Sequence, residues 1–184
     1  MSIIYRHFFL IFCLSFLLSA CGIKPAAGGR SSKLFETFYT GTTGGTQYFI
    51  KPLTFKGPED EVLFLDVTFR DGAFRTDSAR LNYTFITKGQ LSDDKRLAAQ
   101  AENGELYFET DRVSRLFQEK DQDMIRTRFT GSAANRATIT ALIGRPVFTL
   151  ETAGTELIFR PTPKTTRKLE ALREELFSLY EKEL

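Results

Sequence analysis

Short connections between β-like runs constrain the fold of this 184-residue chain more than any other sequence feature. In the C-terminal half, four such runs cover residues 124–130, 137–143, 147–152 and 155–160, and only a few residues separate each run from the next. Parallel pairing needs a crossover connection of about a dozen residues, so these runs predict antiparallel neighbours.

Residues 62–70 alternate with the period of a half-buried strand. One face carries four apolar residues, Leu63, Leu65, Val67 and Phe69, and the other carries mostly polar ones, Asp66, Thr68 and Arg70, with Phe64. Asp71-Gly72 follows at once and predicts a two-residue hairpin turn. The alternation resumes in a next strand that contains Leu81, Tyr83 and Phe85.

Three further strands are predicted at 35–39, 47–55 and 105–110, the last one after the turn dipeptide Asn103-Gly104. Two segments are less regular. Residues 92–101 suit either a capped helix or a strand, and residues 112–120 suit a short helix or a loop.

The C-terminus predicts an amphipathic helix that begins after Pro163, with Thr165 or Thr166 as its cap, and runs to Leu184. Apolar residues follow one helical face: Leu169, Leu172, Leu176, Tyr180 and Leu184. We expect this face to dock on the sheet, with presentation to a partner as the alternative. The fold class is therefore mainly β, of α+β type: an antiparallel sandwich or open barrel-like sheet with a C-terminal amphipathic helix.

The N-terminus has the pattern of an export signal. Residues 8–18 are apolar apart from Ser15, and eleven residues make a helix of only about 16 Å, whereas a bilayer core is about 30 Å thick. This length predicts a signal-peptide core and disfavours a membrane span.

The residues that follow, Leu18-Ser19-Ala20-Cys21, resemble the lipobox of bacterial lipoproteins. The resemblance implies cleavage before Cys21, attachment of diacylglycerol to its thiol and acylation, for example with palmitate, of the new amine. Two or three acyl chains hold a protein stably on a membrane. The resemblance also implies a cell-envelope location. In Gram-negative sorting, Gly22 instead of Asp after the cysteine favours the outer membrane over the inner one; the Gram type and a periplasmic or surface-exposed position stay open.

The sequence thus predicts four parts: a signal peptide at 1–20, a lipidated cysteine and flexible linker at 21–33, a β-rich domain at 34–163 and a packed helix at 164–184. The mature chain would contain no histidine and no free thiol, because His7 and Cys13 leave with the signal and Cys21 is lipidated. Sites that need these groups, such as nucleophile–histidine pairs and zinc centres, are excluded on that prediction.

Carboxylate pairs remain as candidates for a hydrolase. Glu109 and Asp111 would share a strand face, and Asp121 and Asp123 flank a turn, but such pairs are usually solvated surface. We predict no catalytic residue, no metal and no cofactor.

Basic side chains exceed acidic ones over residues 122–168, and Arg126 and Arg128 share one strand face. This face would suit an anionic partner, either another envelope protein or an anionic lipid, and nothing favours nucleic acid. The leading hypothesis is a lipid-anchored, non-enzymatic binding or assembly module. The chain's 18 phenylalanines suit core packing, and they also admit an alternative, a carrier with an apolar cavity for a lipid or lipopeptide.

Overall fold

The computed structural model describes residues 32–40, 45–71, 77–92, 95–152, 155–181 and 184. The predicted signal peptide, Cys21 and most of the predicted linker lie outside these residues. Within them, ten antiparallel strands form one curled sheet, a half-barrel, accompanied by two α-helices and a short 3-10 helix. The predicted fold class, in its open barrel-like form with a C-terminal helix, is confirmed.

The elements follow one another along the chain with short connections. The strands are β1 (Phe35–Thr40), β2 (Gly45–Lys56), β3 (Val62–Arg70), β4 (Ser78–Thr87), β5 (Lys95–Gln100), β6 (Leu106–Glu109), β7 (Asp111–Asp121), β8 (Met124–Ala134), β9 (Val147–Thr152) and β10 (Thr155–Pro161). The helices are α1 (Asn135–Ile143), α2 (Pro163–Glu175) and a 3-10 helix (Phe177–Leu179). Across the sheet the order is β6-β5-β9-β10-β2-β3-β4-β8-β7, and β1 pairs with β2.

Aromatic rings from distant strands fill the interior of the curled sheet. The ring of Phe148 on β9 lies 5.0 Å from Phe55 on β2, 6.1 Å from Tyr83 on β4 and 6.5 Å from Phe108 on β6, measured between centroids. Phe85 meets Phe159 at 5.4 Å in the same way. These edge-on and tilted contacts join strands that are not neighbours in the sheet order, and they use several of the chain's aromatic side chains for core packing.

A buried hydrogen bond joins β4 to the connection between β6 and β7. The Tyr83 hydroxyl pairs with the Thr110 hydroxyl, and Thr110 separates two strands that lie at opposite ends of the sheet order. Burial raises the pKa of Tyr83 well above its ordinary value, and the hydrogen bond from Thr110 opposes part of that rise. The phenol therefore remains neutral.

Helix α2 closes a gap along one edge of β2. Strand β3 occupies the other edge of β2, while β1 pairs with its first half and β10 only with its last two residues. Between them, the Thr165 hydroxyl accepts from the Thr54 amide at 2.9 Å and donates to the Thr54 carbonyl at 2.7 Å. The Thr165 side chain thus takes the place of a neighbouring strand, close to the bulge between Ile50 and Leu53 of β2.

The C-terminal helix differs from its prediction at both ends. Its cap is Thr162, whose hydroxyl accepts from the Thr165 amide at 3.2 Å, because Thr165 is used by β2. The α-helix ends at Glu175, and the chain continues as the 3-10 helix, which allows the adjacent Leu176 and Phe177 both to be buried. The predicted apolar face does pack against the core, through Leu169, Leu172, Leu176 and Tyr180, with Leu184 partly buried beside it.

The prediction of a helix or loop at 112–120 is wrong, because this segment forms most of β7. Its pairing with β8 shifts register between Asp111 and Ser114 and again between Arg115 and Phe117. Each bulge inserts an extra residue, so the period-two pattern that identifies a strand is lost.

The prediction of a strand at 137–143 is also wrong, because these residues lie in α1. The buried positions, Asn135, Thr138, Ile139, Ala141 and Leu142, have helical spacing. The β-branched residues suggested a strand, but tertiary packing overrides this weak preference. The predicted loop at 131–135 instead extends β8 opposite the start of β4 and begins α1.

Of the two turns predicted from Asp-Gly and Asn-Gly dipeptides, one is wrong and one is correct. The two-residue hairpin predicted at Asp71-Gly72 is wrong, since β3 ends at Arg70 and β4 begins only at Ser78; Gly72 itself lies outside the described residues. The turn at Asn103-Gly104 does connect β5 to β6, with Gly104 at φ +87°, a conformation that favours glycine. Residues 92–101, which the sequence left open, contain the strand β5.

We predict that Phe148→Ala lowers the free energy of unfolding by about 3–5 kcal/mol, because it leaves a cavity among rings from four strands. Phe117→Ala is the matched control, since Phe117 is 43% exposed on β7 and its loss should cost about 0.5 kcal/mol or less. Urea unfolding measures both values. Equal effects of the two substitutions would show that Phe148 is not central to the core.

We predict that Thr165→Val costs about 1–3 kcal/mol, because the Thr54 amide then loses its partner at the edge of β2. Thr166→Val is the control: its hydroxyl donates only to a carbonyl of its own helix, at 3.2 Å, and its removal should change stability by about 0.5 kcal/mol or less. Chemical unfolding of both variants tests this, and a Thr165→Val protein as stable as the control would contradict it.

Candidate functional site

Two polar grooves lie on the outer face of the curled sheet, whose inner face is covered by packed side chains. The larger groove has a volume of about 600 Å³ and crosses β2, β3 and β4. The smaller one, of about 390 Å³, crosses β5, β9 and β10. We call them the arginine groove and the glutamate groove, after the side chains described next.

Two exposed arginines line the arginine groove. Arg70 is the last residue of β3, and Arg80 on β4 pairs in register with Thr68, two residues before Arg70 on the same face. Within the described part of the chain, no carboxylate lies within ion-pair distance of either guanidinium. Asp77 lines the same groove, so the local charge is partly balanced but remains positive.

A buried asparagine holds the ends of the two strands that carry these arginines. The Asn135 side-chain amide donates to the Arg70 carbonyl at 3.3 Å, and its backbone amide donates to the Asp77 carbonyl at 3.0 Å. Asn135 is fully buried at the start of α1. It therefore positions the backbone at the end of β3 and just before β4, at Arg70 and Asp77, which both line the arginine groove.

The opposite side of the arginine groove is aromatic. Phe49 on β2 lines the groove and meets Phe38 on β1 edge-to-face, with 5.2 Å between ring centroids. Both rings are substantially exposed, at 37% and 46%. Polar side chains complete the lining: Gln47, Thr68, Ser78 and Asn82. The groove thus combines guanidinium groups, hydroxyl and amide groups and an apolar edge, a set that can bind an anion carrying an apolar part.

The predicted face of Arg126 and Arg128 lies on β8, away from the arginine groove. Arg128 is bound to Asp66 at 2.8 Å and to the Thr84 hydroxyl at 3.3 Å, and this ion pair neutralises it. Arg126 is exposed, with Glu119 directly opposite on β7. Arg80 pairs with Ser132, six residues along β8 from Arg126, which corresponds to about 20 Å. The role of Arg126 and Arg128 toward an anionic partner stays a prediction.

Arg70 and Arg80 were not predicted as a pair from the sequence, although a signal was present. Both occupy outward positions in alternating strands, and both flank the connection between β3 and β4. Antiparallel pairing of consecutive strands necessarily brings such residues together on one face.

Carboxylates in the glutamate groove surround an arginine. Arg96 contacts Glu109 at 2.8 Å and Glu151 at 4.0 Å, and Glu156 lies opposite Glu151 in register. The two bound glutamates are about half exposed, with 46% and 58% of their side-chain surface accessible. A catalytic acid needs a buried or otherwise shielded carboxyl, so this arrangement favours surface ion pairing.

The other predicted carboxylate positions are only partly visible. The side chains of Asp111 and Asp121 lie outside the described part of the structure, so the pairs Glu109–Asp111 and Asp121–Asp123 are not tested. Among the residues that the structure describes, no group of three or more His, Cys, Asp or Glu side chains could hold a metal ion. In the same residues, no helix has both the length and the apolar character to cross a membrane.

Comparison with protein-family models, with curated proteins and with solved structures finds no match for this chain.

Proposed function

We propose that this protein is a lipid-anchored, non-enzymatic binding module of a bacterial cell envelope, and that its arginine groove binds an anionic partner. The lipobox-like residues ending at Cys21 support the anchor, and Gly22 favours the outer membrane. Acyl chains at Cys21 would be the membrane attachment. The predicted loss of histidine and free thiol from the mature chain supports a binding role over catalysis.

The observation that carries the binding proposal is the pair Arg70 and Arg80. Two guanidinium groups without described carboxylate partners lie on neighbouring strands in one groove. Their mutual repulsion is relieved when an anion binds between them, and the planar guanidinium suits carboxylate or phosphate oxygens through paired hydrogen bonds. The partner's chemistry is therefore a phosphate- or carboxylate-bearing envelope component with an apolar part that contacts Phe49 and Phe38.

We predict that the purified lipidated protein, held in a nonionic detergent, binds inorganic pyrophosphate as a minimal polyanion, as measured by calorimetric titration. Arg70→Gln and Arg80→Gln should each weaken binding about tenfold or more, since each removes a charge-assisted hydrogen bond worth about 1.5–3 kcal/mol. Arg126→Gln is the matched control, because it removes an exposed arginine outside the groove.

Two results would contradict the groove as the binding site. One is an equal loss of affinity in the Arg126→Gln control, which would indicate attraction by overall charge. The other is unchanged affinity in both groove variants.

We predict that cells incorporate labelled palmitate into the wild-type protein and not into Cys21→Ala. Cys13→Ala is the matched control, since Cys13 is the only other cysteine of the chain and lies inside the predicted signal peptide. Partitioning between detergent and aqueous phases gives a second measurement on the processed protein. Equal labelling of Cys21→Ala and wild type would refute the anchor.

A further inference from the structure

A group of basic side chains surrounds the point where the predicted linker joins the described domain. We call it the tether-side cluster and define it as Lys33, Lys51, Lys164 and Lys168. The Lys51 amide donates to the Leu34 carbonyl at 2.8 Å, which places Lys33 next to β2. The Lys168 ammonium donates to the Pro52 carbonyl at 3.0 Å, one residue beyond Lys51. Lys164 and Lys51 both lie near enough to Lys168 to repel its charge, and the backbone of Lys33 precedes Leu34, so three separate segments bring lysines to one region.

The positive charge of this cluster is only partly balanced within the domain. Glu36 lies 3.5 Å from Lys51, and both side chains remain substantially exposed. No acidic residue occupies the first turn of α2, which carries Lys164. Partial burial, followed by repulsion from Lys164 and Lys51, lowers the pKa of Lys168. The arrangement therefore concentrates like charges that an external anionic surface would stabilise.

The chain between the cluster and Cys21 indicates which anionic surface is available. Eleven residues lie between Cys21 and Lys33, so the predicted flexible linker would have an average span of about 20 Å and an upper limit of about 40 Å. Acyl chains inserted at Cys21 would hold the cluster within this distance of the lipid headgroups. Such tethering makes contact effectively intramolecular, and even weak attraction then suffices.

We propose that the tether-side cluster contacts the anionic phospholipid headgroups of the membrane that holds the Cys21 acyl chains. This inference rests on the proposed lipid anchor. Basic residues beside an anionic leaflet are attracted to its surface potential, and salt screens the attraction. The contact would orient the domain with the beginning of α2 and the middle of β2 toward the bilayer, instead of leaving it free to tumble on its linker.

The test compares lysine reactivity of the natural lipidated protein on two kinds of vesicle, phosphatidylcholine alone and phosphatidylcholine with about 30 mol% phosphatidylglycerol. An amine-reactive acetylating reagent is added, and mass spectrometry measures the rate at each lysine. We expect the four lysines of the tether-side cluster to react about threefold more slowly on the anionic vesicles, and about 0.5 M salt should abolish the difference. Lys120 is the internal control, since it is exposed on β7, four strands from β2 in the sheet order.

A charge-reversed protein provides the second arm. In the Lys164→Glu/Lys168→Glu variant, Lys33 and Lys51 should lose their protection on anionic vesicles, whereas Lys120→Glu should leave it unchanged. Circular dichroism checks that each variant is folded.

Flotation of the same vesicles separates the two hypotheses. A protein that floats with both vesicle types but shows equal rates at the cluster lysines refutes the contact and leaves the lipid anchor standing. A protein that floats with neither type refutes the anchor, and the contact with it. Protection that extends equally to Lys120 would show aggregation or general adsorption and would also overturn the proposed orientation.

Discussion

The packing of Phe148 against Phe55, Tyr83 and Phe108 is the constraint on which the rest of this structure depends. These rings come from β9, β2, β4 and β6; β2 and β6 are each two strands from β9 in the sheet order and β4 is four strands from it, so the contact of Phe148 with Tyr83 requires the sheet to curl. The pleat points every second residue of each strand to the inner face of the curled sheet, and the inward residues are mostly apolar and buried. With the inner face used for packing, binding chemistry is left to the outer face and to the surfaces beside the helices.

A helix is needed beside β2 because the strands along one of its edges leave part of that edge uncovered. Strand β2 is twelve residues long, and neither β1 nor β10 is placed to cover its middle. Unpaired backbone groups there would cost stability, and Thr165 supplies the missing donor and acceptor. This docking also carries Lys164 and Lys168 to the side of the domain where the linker enters. The contact of α2 with the edge of β2 therefore also places these lysines on the charged surface that is proposed to face the membrane.

Particular residues show which features of the fold a sequence pattern can predict and which it cannot. The alternation of Leu63, Leu65, Val67 and Phe69 predicts β3 with correct bounds and faces, because one side of that strand is wholly buried. Two bulges break the same pattern in β7, so a strand was missed. Thr138 and Ile139 suggested a strand, whereas their burial at helical spacing in α1 depends on contacts that the local sequence does not contain. Arg70 and Arg80 were visible as outward residues, but their juxtaposition required the pairing of β3 with β4.

The short connections between strands indicate an antiparallel sheet, because parallel neighbours would need longer ones, but they do not give its order. Strand β8 pairs with β4 and β9 pairs with β5, so the successive runs predicted as neighbours at 124–130 and 147–152 lie apart. The spacing of the leucines gives the C-terminal helix its apolar face. The sequence alone also shows the lipobox resemblance, which is a local pattern. Which residues share a surface depends on the tertiary structure. Register and curl place Arg70 beside Arg80, bind Arg128 to Asp66 and bring Lys51 to Lys168, because side chains distant in the chain meet only when the strands and helices between them have taken their positions.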